Sequence, residues 1–181
     1  MTKDEAAKIA QEIGFSHWGF FEAAGLSFRT EVRDMCEMNR CGKYAKRWTC
    51  PPGCGPLEAI AEEVKAYSWG ILLQTTGEME DAFDAETMEE AMIAQKERFQ
   101  TYVDLLREQY RNETFLPMSS GGCDICKECT YPDAPCRFPE KALPSMEAYG
   151  LIVTDVCELA GIPYYYGPKT ITFTGAVLVT D

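Results

Sequence analysis

The sequence predicts an α+β protein in which helices pack on a small mixed β-sheet, with two irregular cysteine-rich loops attached to it. Three observations favour this class: apolar residues recur at helical spacing in several segments, short apolar runs separate these segments, and residues 36–56 and 121–140 are broken by Gly and Pro. The 181 residues are 46% hydrophobic, which is enough for one ordinary core. We therefore expect a single domain over residues 1–181.

The N-terminal half alternates helix and strand signals. Thr2 and Glu5 have the spacing of a capping box, and the apolar residues that follow repeat every three to four positions, which predicts a first helix. Residues 15–21 predict a short strand. Pro56 suits the first turn of a second helix, and the run WGILLQTT at 69–76 predicts a buried strand.

The C-terminal half repeats this alternation. An apolar stripe over residues 88–110 predicts a long helix whose Met and aromatic residues face the core. Ser145 is suited to cap a further helix, which Gly161 ends. The runs PYYYG and TITFTGAVLV predict two closing strands that form a hairpin around Gly167 and Pro168.

Composition excludes several classes of function. The net charge of −12 disfavours a nucleic-acid partner, whose phosphates need a basic surface. The charged N-terminus does not resemble a signal peptide, and no apolar run approaches the roughly 18 residues of a membrane span. We therefore expect a soluble, cytoplasmic protein with no membrane partner. Nine cysteines in a reducing compartment indicate metal binding or catalysis more than disulfides.

The second cysteine motif carries the clearest chemical signal. Cys123, Cys126, Cys129 and Cys136 have the spacing C-x2-C-x2-C-x6-C. Two residues between ligands let the backbone curl around a metal centre, and three such ligands in a row resemble the ferredoxin run that holds an iron–sulfur cluster. The six residues before Cys136 depart from ferredoxins, so this thiol either closes the same site or reaches elsewhere. Zinc remains the alternative.

The first cysteine motif is less diagnostic in its spacing. Cys36, Cys41, Cys50 and Cys54 read C-x4-C-x8-C-x3-C, and the two prolines after Cys50 stiffen the loop. Four thiols in so short an irregular segment are unusual for core residues. We expect a metal site here as well, with Cys54 the least secure of its ligands.

Cations surround both motifs in an otherwise acidic chain. They either form a solvated surface of mixed charge or compensate anionic metal–thiolate centres. Lys43, Lys46 and Arg47 could in addition dock an acidic partner. The cations near the motifs are Arg40, Lys43, Lys46, Arg47, Lys127, Arg137 and Lys141.

Other chemically competent side chains receive simpler interpretations. His17 lies in an apolar strand and is expected to be structural, and a single histidine excludes sites that need two or three. Cys157 lies on the apolar face of its helix and is expected to be a core thiol. Tyr131, Glu147 and Tyr149 could act as acids or bases, although packing or surface roles are simpler.

The stretches CGKYAKRWTCPPGCGPLE and GGCDICKECTYPDAPCRFPEKALPSMEAYG, with YYYG and a closing strand, resemble the predicted metal-binding proteins of domain of unknown function 2284. This resemblance implies metal binding through thiols in the cytoplasm of an anaerobe, and it supplies no reaction. The stretches AAKIAQEIGFSHWGFF and AGIPYYYGPKTITFTGAVLVTD are similar to the ends of the epoxyqueuosine reductase and reductive dehalogenase group, which implies clusters paired with a corrinoid.

These observations lead to one main interpretation and two alternatives. The main one is an iron–sulfur protein with one or two [4Fe–4S] clusters, which transfers electrons with a redox partner protein or serves as the redox subunit of a larger reaction. The first alternative is a zinc-stapled structural or interaction module. The second is a cluster-dependent reductase with a flavin or corrinoid. Whether the chain is an enzyme, its substrate and its oligomeric state are left open.

Overall fold

A computed structural model describes residues 1–180, and the fold is α+β, as the sequence predicts. Within these residues five α-helices and four β-strands follow one another, with short 3-10 turns at 23–25 and 147–149. In chain order the elements are α1 (Lys3–Ile13), β1 (His17–Glu22), α2 (Thr30–Glu37), α3 (Leu57–Val64), β2 (Trp69–Glu78), α4 (Ala85–Gln109), β3 (Phe115–Met118), α5 (Val153–Leu159) and β4 (Thr170–Val179).

The four strands form one sheet in the order β1-β2-β4-β3, and every neighbouring pair is antiparallel. The expected mixed sheet is therefore corrected to an antiparallel one. Strands β2 and β3 do run in the same direction and are joined by α4, but β4 inserts between them. Because β4 is antiparallel to both, the crossover creates no parallel pair of neighbours among the described strands.

The sheet is buried on both faces, which explains the continuous apolar run of β2. Ile71 and Leu73 pack with α1 and α4 on one face, whereas Leu72 packs with α5 on the other. All three side chains are fully buried. Successive residues of a strand point to opposite faces, so a strand covered on both sides has no polar alternation.

The N-terminal signals are confirmed in detail. Thr2 Oγ1 accepts the Glu5 N–H at 3.2 Å, and Glu5 Oε2 accepts the Thr2 N–H at 2.7 Å, which completes the capping box. Gly14 ends α1 with a φ of 90°. The longest helix is α4, and no helix within residues 1–180 combines the length and apolarity needed to cross a membrane.

Two expectations for the C-terminal third are wrong. The helix expected from Ser145 to Gly161 is divided, because Gly150 adopts a φ of 76° and ends a 3-10 turn before α5 begins. The segment PYYYG is not a strand, and no hairpin forms at Gly167. This segment contacts the sheet through a side chain instead: the Tyr166 hydroxyl donates a hydrogen bond to Gln74 Oε1 at 2.7 Å.

The sheet and α2 position the two cysteine loops. Helix α2, which the sequence analysis did not predict, contains Cys36 in its last turn, so the first loop starts from a fixed point. The second loop follows β3, and its two ends lie side by side. Ser119 donates its N–H to Pro144 O at 2.7 Å and forms a bridge with Ser145. Both loops are therefore anchored where they leave the core.

Close packing at Gly175 provides a test of this fold. A Cβ at Gly175 would lie 2.6 Å from Phe99 Cε2 and 3.1 Å from Met118 O, and Phe99 is fully buried. Gly175→Ala should lower the free energy of unfolding by about 1–3 kcal/mol, because a packed core resists added volume. Guanidinium unfolding followed by far-UV circular dichroism measures this change.

Gly77→Ala is the matched control in the same sheet. Its Cβ would meet only side-chain atoms, at 3.0 Å and beyond, so a smaller loss is expected. Equal stability of Gly175→Ala and the parent chain would contradict the described packing of α4 on β4.

Candidate metal centres

The first cysteine loop, residues 36–56, brings three of its thiols to one cavity. Cys36, Cys41 and Cys50 line a space of about 210 Å³. The second loop forms part of the same wall, since a Cβ added at Gly122 would lie 3.3 Å from Cys50 Sγ. Three predicted ligands thus share one space, and a glycine lies where the other loop approaches them.

Cys54, the fourth thiol of this motif, lies beside the group and has its own contacts. Its Sγ is 3.6 Å from Arg33 Nη1 and 3.6 Å from Ala148 O. Cys36 Sγ lies 4.0 Å from Glu147 O, so both thiols face the same 3-10 turn. Arg33 is held by further bonds from its guanidinium to backbone carbonyl oxygens, which fixes a cation next to the motif.

The thiols of the first loop are electrostatically coupled. Burial raises the pKa of Cys36, Cys50 and Cys54, and the negative charge of neighbouring thiolates raises it further. Arg33 opposes this rise at Cys36 and Cys54. A bound metal cation would take the place of the protons, which is how thiol sites couple metal binding to proton release.

The second cysteine loop brings all four of its thiols to one narrow cavity. Cys123, Cys126, Cys129 and Cys136 line a space of about 10 Å³, roughly the volume that one water needs. Within residues 1–180, no three Cys, His, Asp or Glu side chains are close enough to ligate a single metal ion. The four thiols therefore share a cavity, and ligation requires their side chains to turn further toward it.

Cys129 is the thiol best prepared to be an anion. Its burial opposes ionisation, but hydrogen bonds from the N–H groups of Tyr131 and Trp48, together with the Arg47 guanidinium, outweigh this and lower its pKa. Donors aimed at sulfur stabilise thiolates and tune metal centres. At Cys123 burial prevails over the N–H of Ile125, and the pKa is raised.

A buried hydroxyl lies beside sulfur between the two loops. Thr49 is 5% exposed, and its Oγ1 makes no hydrogen bond of ordinary length and angle to a described residue. It faces the thiol of Cys50 and, as a donor to that sulfur, works against burial, which raises the pKa of Cys50. Thr49 also lines the four-thiol cavity of the second loop. A buried hydroxyl that donates to sulfur stabilises a thiolate, so this residue fits a thiolate-bound group.

An ionic bridge ties the two loops to each other and to α4. Asp124 Oδ1 is 2.5 Å from Lys43 Nζ, and Asp124 Oδ2 is 2.6 Å from Lys96 Nζ. Partial burial opposes ionisation of Asp124, but the two ammonium groups prevail and lower its pKa. Both lysines are less than one-third exposed, so this bridge is better shielded from solvent than a typical surface ion pair.

Residues adjacent to the bridge extend the contact between loops. Arg47 Nη1 donates to Cys126 O at 2.9 Å, and Trp48 Nε1 donates to Ala134 O at 3.1 Å. The rings of Trp48 and Tyr131 meet edge to face at 4.9 Å. Arg47, one of the cations considered for docking a partner, is thus bound within the protein, as is Lys43.

The structure gives the surroundings of the other side chains that the sequence singled out. His17 lies in β1 and stacks on Tyr166 with ring centroids 4.0 Å apart. Cys157 is 2% exposed, and burial raises its pKa to about 11, as befits a core thiol. Glu147 is exposed and lines the first cavity. Burial raises the pKa of Tyr149 to about 12.

Two positions that contact the cysteine loops carry no sequence signal. Arg33 lies in the unpredicted helix α2, and Lys96 lies in α4, far from either motif in the chain. No local pattern marks either residue. Their importance follows from contacts across the fold, with Cys54 and Asp124 respectively.

Neutralising Asp124 should loosen both loops. Asp124→Asn removes the charge shared by Lys43 and Lys96, so loss of bound metal to a chelator should become roughly two- to fivefold faster. The anaerobic, metal-loaded protein is mixed with excess chelator and metal release is followed by absorbance. Asp133→Asn is the control, because Asp133 is exposed in the same loop. Equal release rates for the parent and Asp124→Asn would show that the bridge does not hold the loops.

The chain is similar to two solved structures and matches one protein family. Two solved structures resemble the chain: epoxyqueuosine reductase from Streptococcus thermophilus, with 12% identity and a TM-score of 0.44, and a selenomethionine-labelled epoxyqueuosine reductase, with 11% identity and a TM-score of 0.46. Each match covers 98% of this chain and 45% of the other. No curated protein matches. Residues 20–179 match the family described as predicted metal-binding protein (DUF2284), and the chain belongs to that family.

Proposed function

We propose that the chain is an iron–sulfur protein whose cysteine loops hold one or two [4Fe–4S] clusters, for electron transfer or as the redox subunit of a larger reaction. One observation carries the proposal: seven thiols line two adjacent cavities, three in the first loop and four in the second. Thiolates are the ligands that select zinc and iron–sulfur clusters. Membership of a predicted metal-binding family supports the same chemistry.

The first loop offers room for a group larger than one ion. Its cavity of about 210 Å³ is more than ten times the roughly 10–15 Å³ that one water needs. Cys36, Cys41 and Cys50 would hold the cluster, with Cys54 as the fourth candidate ligand. The Arg33 guanidinium near Cys54 would offset part of the negative charge.

The second loop offers prepared hydrogen-bond donors and a tighter space. Cys123, Cys126, Cys129 and Cys136 would be the ligands, with N–H donors already directed at two of these sulfurs. A cluster bound here supplies one-electron transfer at a potential set by such donors and by nearby charge. The loop must widen to admit it.

Zinc in the second loop is the second candidate, and the small cavity favours it. A space of about 10 Å³ suits one tetrahedral ion more closely than a four-iron group. In that case the second loop is a structural staple and only the first loop can carry redox chemistry.

All nine cysteines are free thiols, and both kinds of metal centre need free thiols as ligands. We therefore place the chain in a reducing compartment such as the cytoplasm.

Anaerobic purification separates the two metals. The iron–sulfur proposal expects a brown protein with equal iron and acid-labile sulfide, about four of each per cluster, which dithionite bleaches. Colourless protein that takes up stoichiometric zinc but no iron or sulfide on anaerobic reconstitution would reject it in favour of zinc.

Single substitutions then assign the centres to the loops. Cys41→Ser should remove the iron and sulfide of one centre, and Cys126→Ser those of the other, because each variant removes a thiolate ligand from one cavity. Cys157→Ser is the matched control, since that thiol lies in the core outside both loops. Loss of all iron and sulfide from each of the two loop variants would indicate one cluster shared between the loops. Full loading of either variant would remove that thiol from the ligand set.

A further inference from the structure

We propose that a groove between the two cysteine loops binds one uncharged, largely apolar ring molecule. We call it the interloop groove; it has a volume of about 550 Å³. Its walls come from both loops, including Trp48 and Cys54 from the first and Pro132, Pro135 and Cys136 from the second, together with Tyr149. This volume lies within the range of small-molecule sites.

The position of the groove links it to both thiol groups. Cys54 belongs to the first motif and Cys136 to the second, yet both line the same space. Each is half-buried, so a molecule seated there would contact one cysteine residue of each motif. Neither cavity described for the metal centres has this property.

The walls are held in place without a ligand. Trp48 is fixed by its hydrogen bond to Ala134 O and by its edge-to-face contact with Tyr131. Prolines contribute backbone that cannot rotate about φ. Four of the lining residues are prolines: Pro132, Pro135, Pro139 and Pro144. Walls restricted in this way lose less entropy on binding than mobile ones.

The lining selects for an uncharged molecule with an apolar face. No Lys, Arg or His among the described residues lines the groove, so a phosphate or carboxylate would find no counter-charge there. The one ionised side chain, Asp133, is exposed to solvent, which weakens its pull on a cation. Trp48 and Tyr149 present aromatic surface, and aromatic rings pack favourably on one another.

Lumichrome tests the inference as an uncharged tricyclic probe. Anaerobic equilibrium dialysis of the full, metal-loaded chain should give saturable binding of one lumichrome per chain. Riboflavin and riboflavin 5′-phosphate share an isoalloxazine ring and a ribityl chain and differ only by the phosphate, so the phosphate form should bind about tenfold more weakly than riboflavin, or worse. Absence of saturable lumichrome binding, or tighter binding of the phosphate, would overturn the proposal.

Substitutions in the groove locate the binding. Tyr149→Ala should weaken lumichrome binding about tenfold by removing an aromatic wall. Tyr165→Ala, the same change at a tyrosine that is 64% exposed and outside the groove, should leave it unchanged. Equal lumichrome affinity in Tyr149→Ala and the parent would reject the groove as the site.

Asp133 lies at the exposed rim of the groove, so a change of charge there provides a second test if Tyr149→Ala disturbs folding. Asp133→Arg places a cation by the groove, so the preference should shift toward the phosphate-bearing probe. An unchanged preference would also reject the groove. Iron and sulfide are measured on every sample, because failure to bind lumichrome by fully loaded protein rejects the groove alone and leaves the iron–sulfur proposal standing.

Discussion

The bridge from Lys43 through Asp124 to Lys96 is the constraint on which the functional region depends. It joins the first cysteine loop, the second cysteine loop and α4 through one carboxylate. The neighbouring bonds of Arg47 and Trp48 to the second loop act in parallel. Because these loops have little regular structure of their own, contacts between them replace the backbone ladders that hold a helix or a sheet.

This interlocking turns two separate motifs into one chemical region. Cys50 lies against Gly122, and N–H groups from both loops reach Cys129. A metal bound in one loop would therefore have part of its surroundings built by the other loop. The interloop groove exists for the same reason, since its two walls belong to different loops.

Cations are concentrated around the thiols of the two cysteine loops. The chain carries a net charge of −12, yet cations lie at the thiol groups: Arg33 beside Cys54, Arg47 beside Cys129 and Lys43 beside the first cavity. Each is fixed by hydrogen bonds to carbonyl or carboxylate oxygen. Such fixed cations stabilise a cluster of thiolates without the cost of reorganising solvent.

The sequence by itself determined the local features: the α1 capping box, the buried β2, the core position of Cys157, and the nearness of Cys36, Cys41 and Cys50 in one loop and of the four thiols in the other. These depend on spacing over a few residues, where chain geometry leaves few alternatives. Only the tertiary structure decided the insertion of β4 between β2 and β3, the break at Gly150 and the meeting of Lys43, Asp124 and Lys96. These contacts join residues far apart in the chain, and their free energy depends on packing and burial that no local pattern encodes.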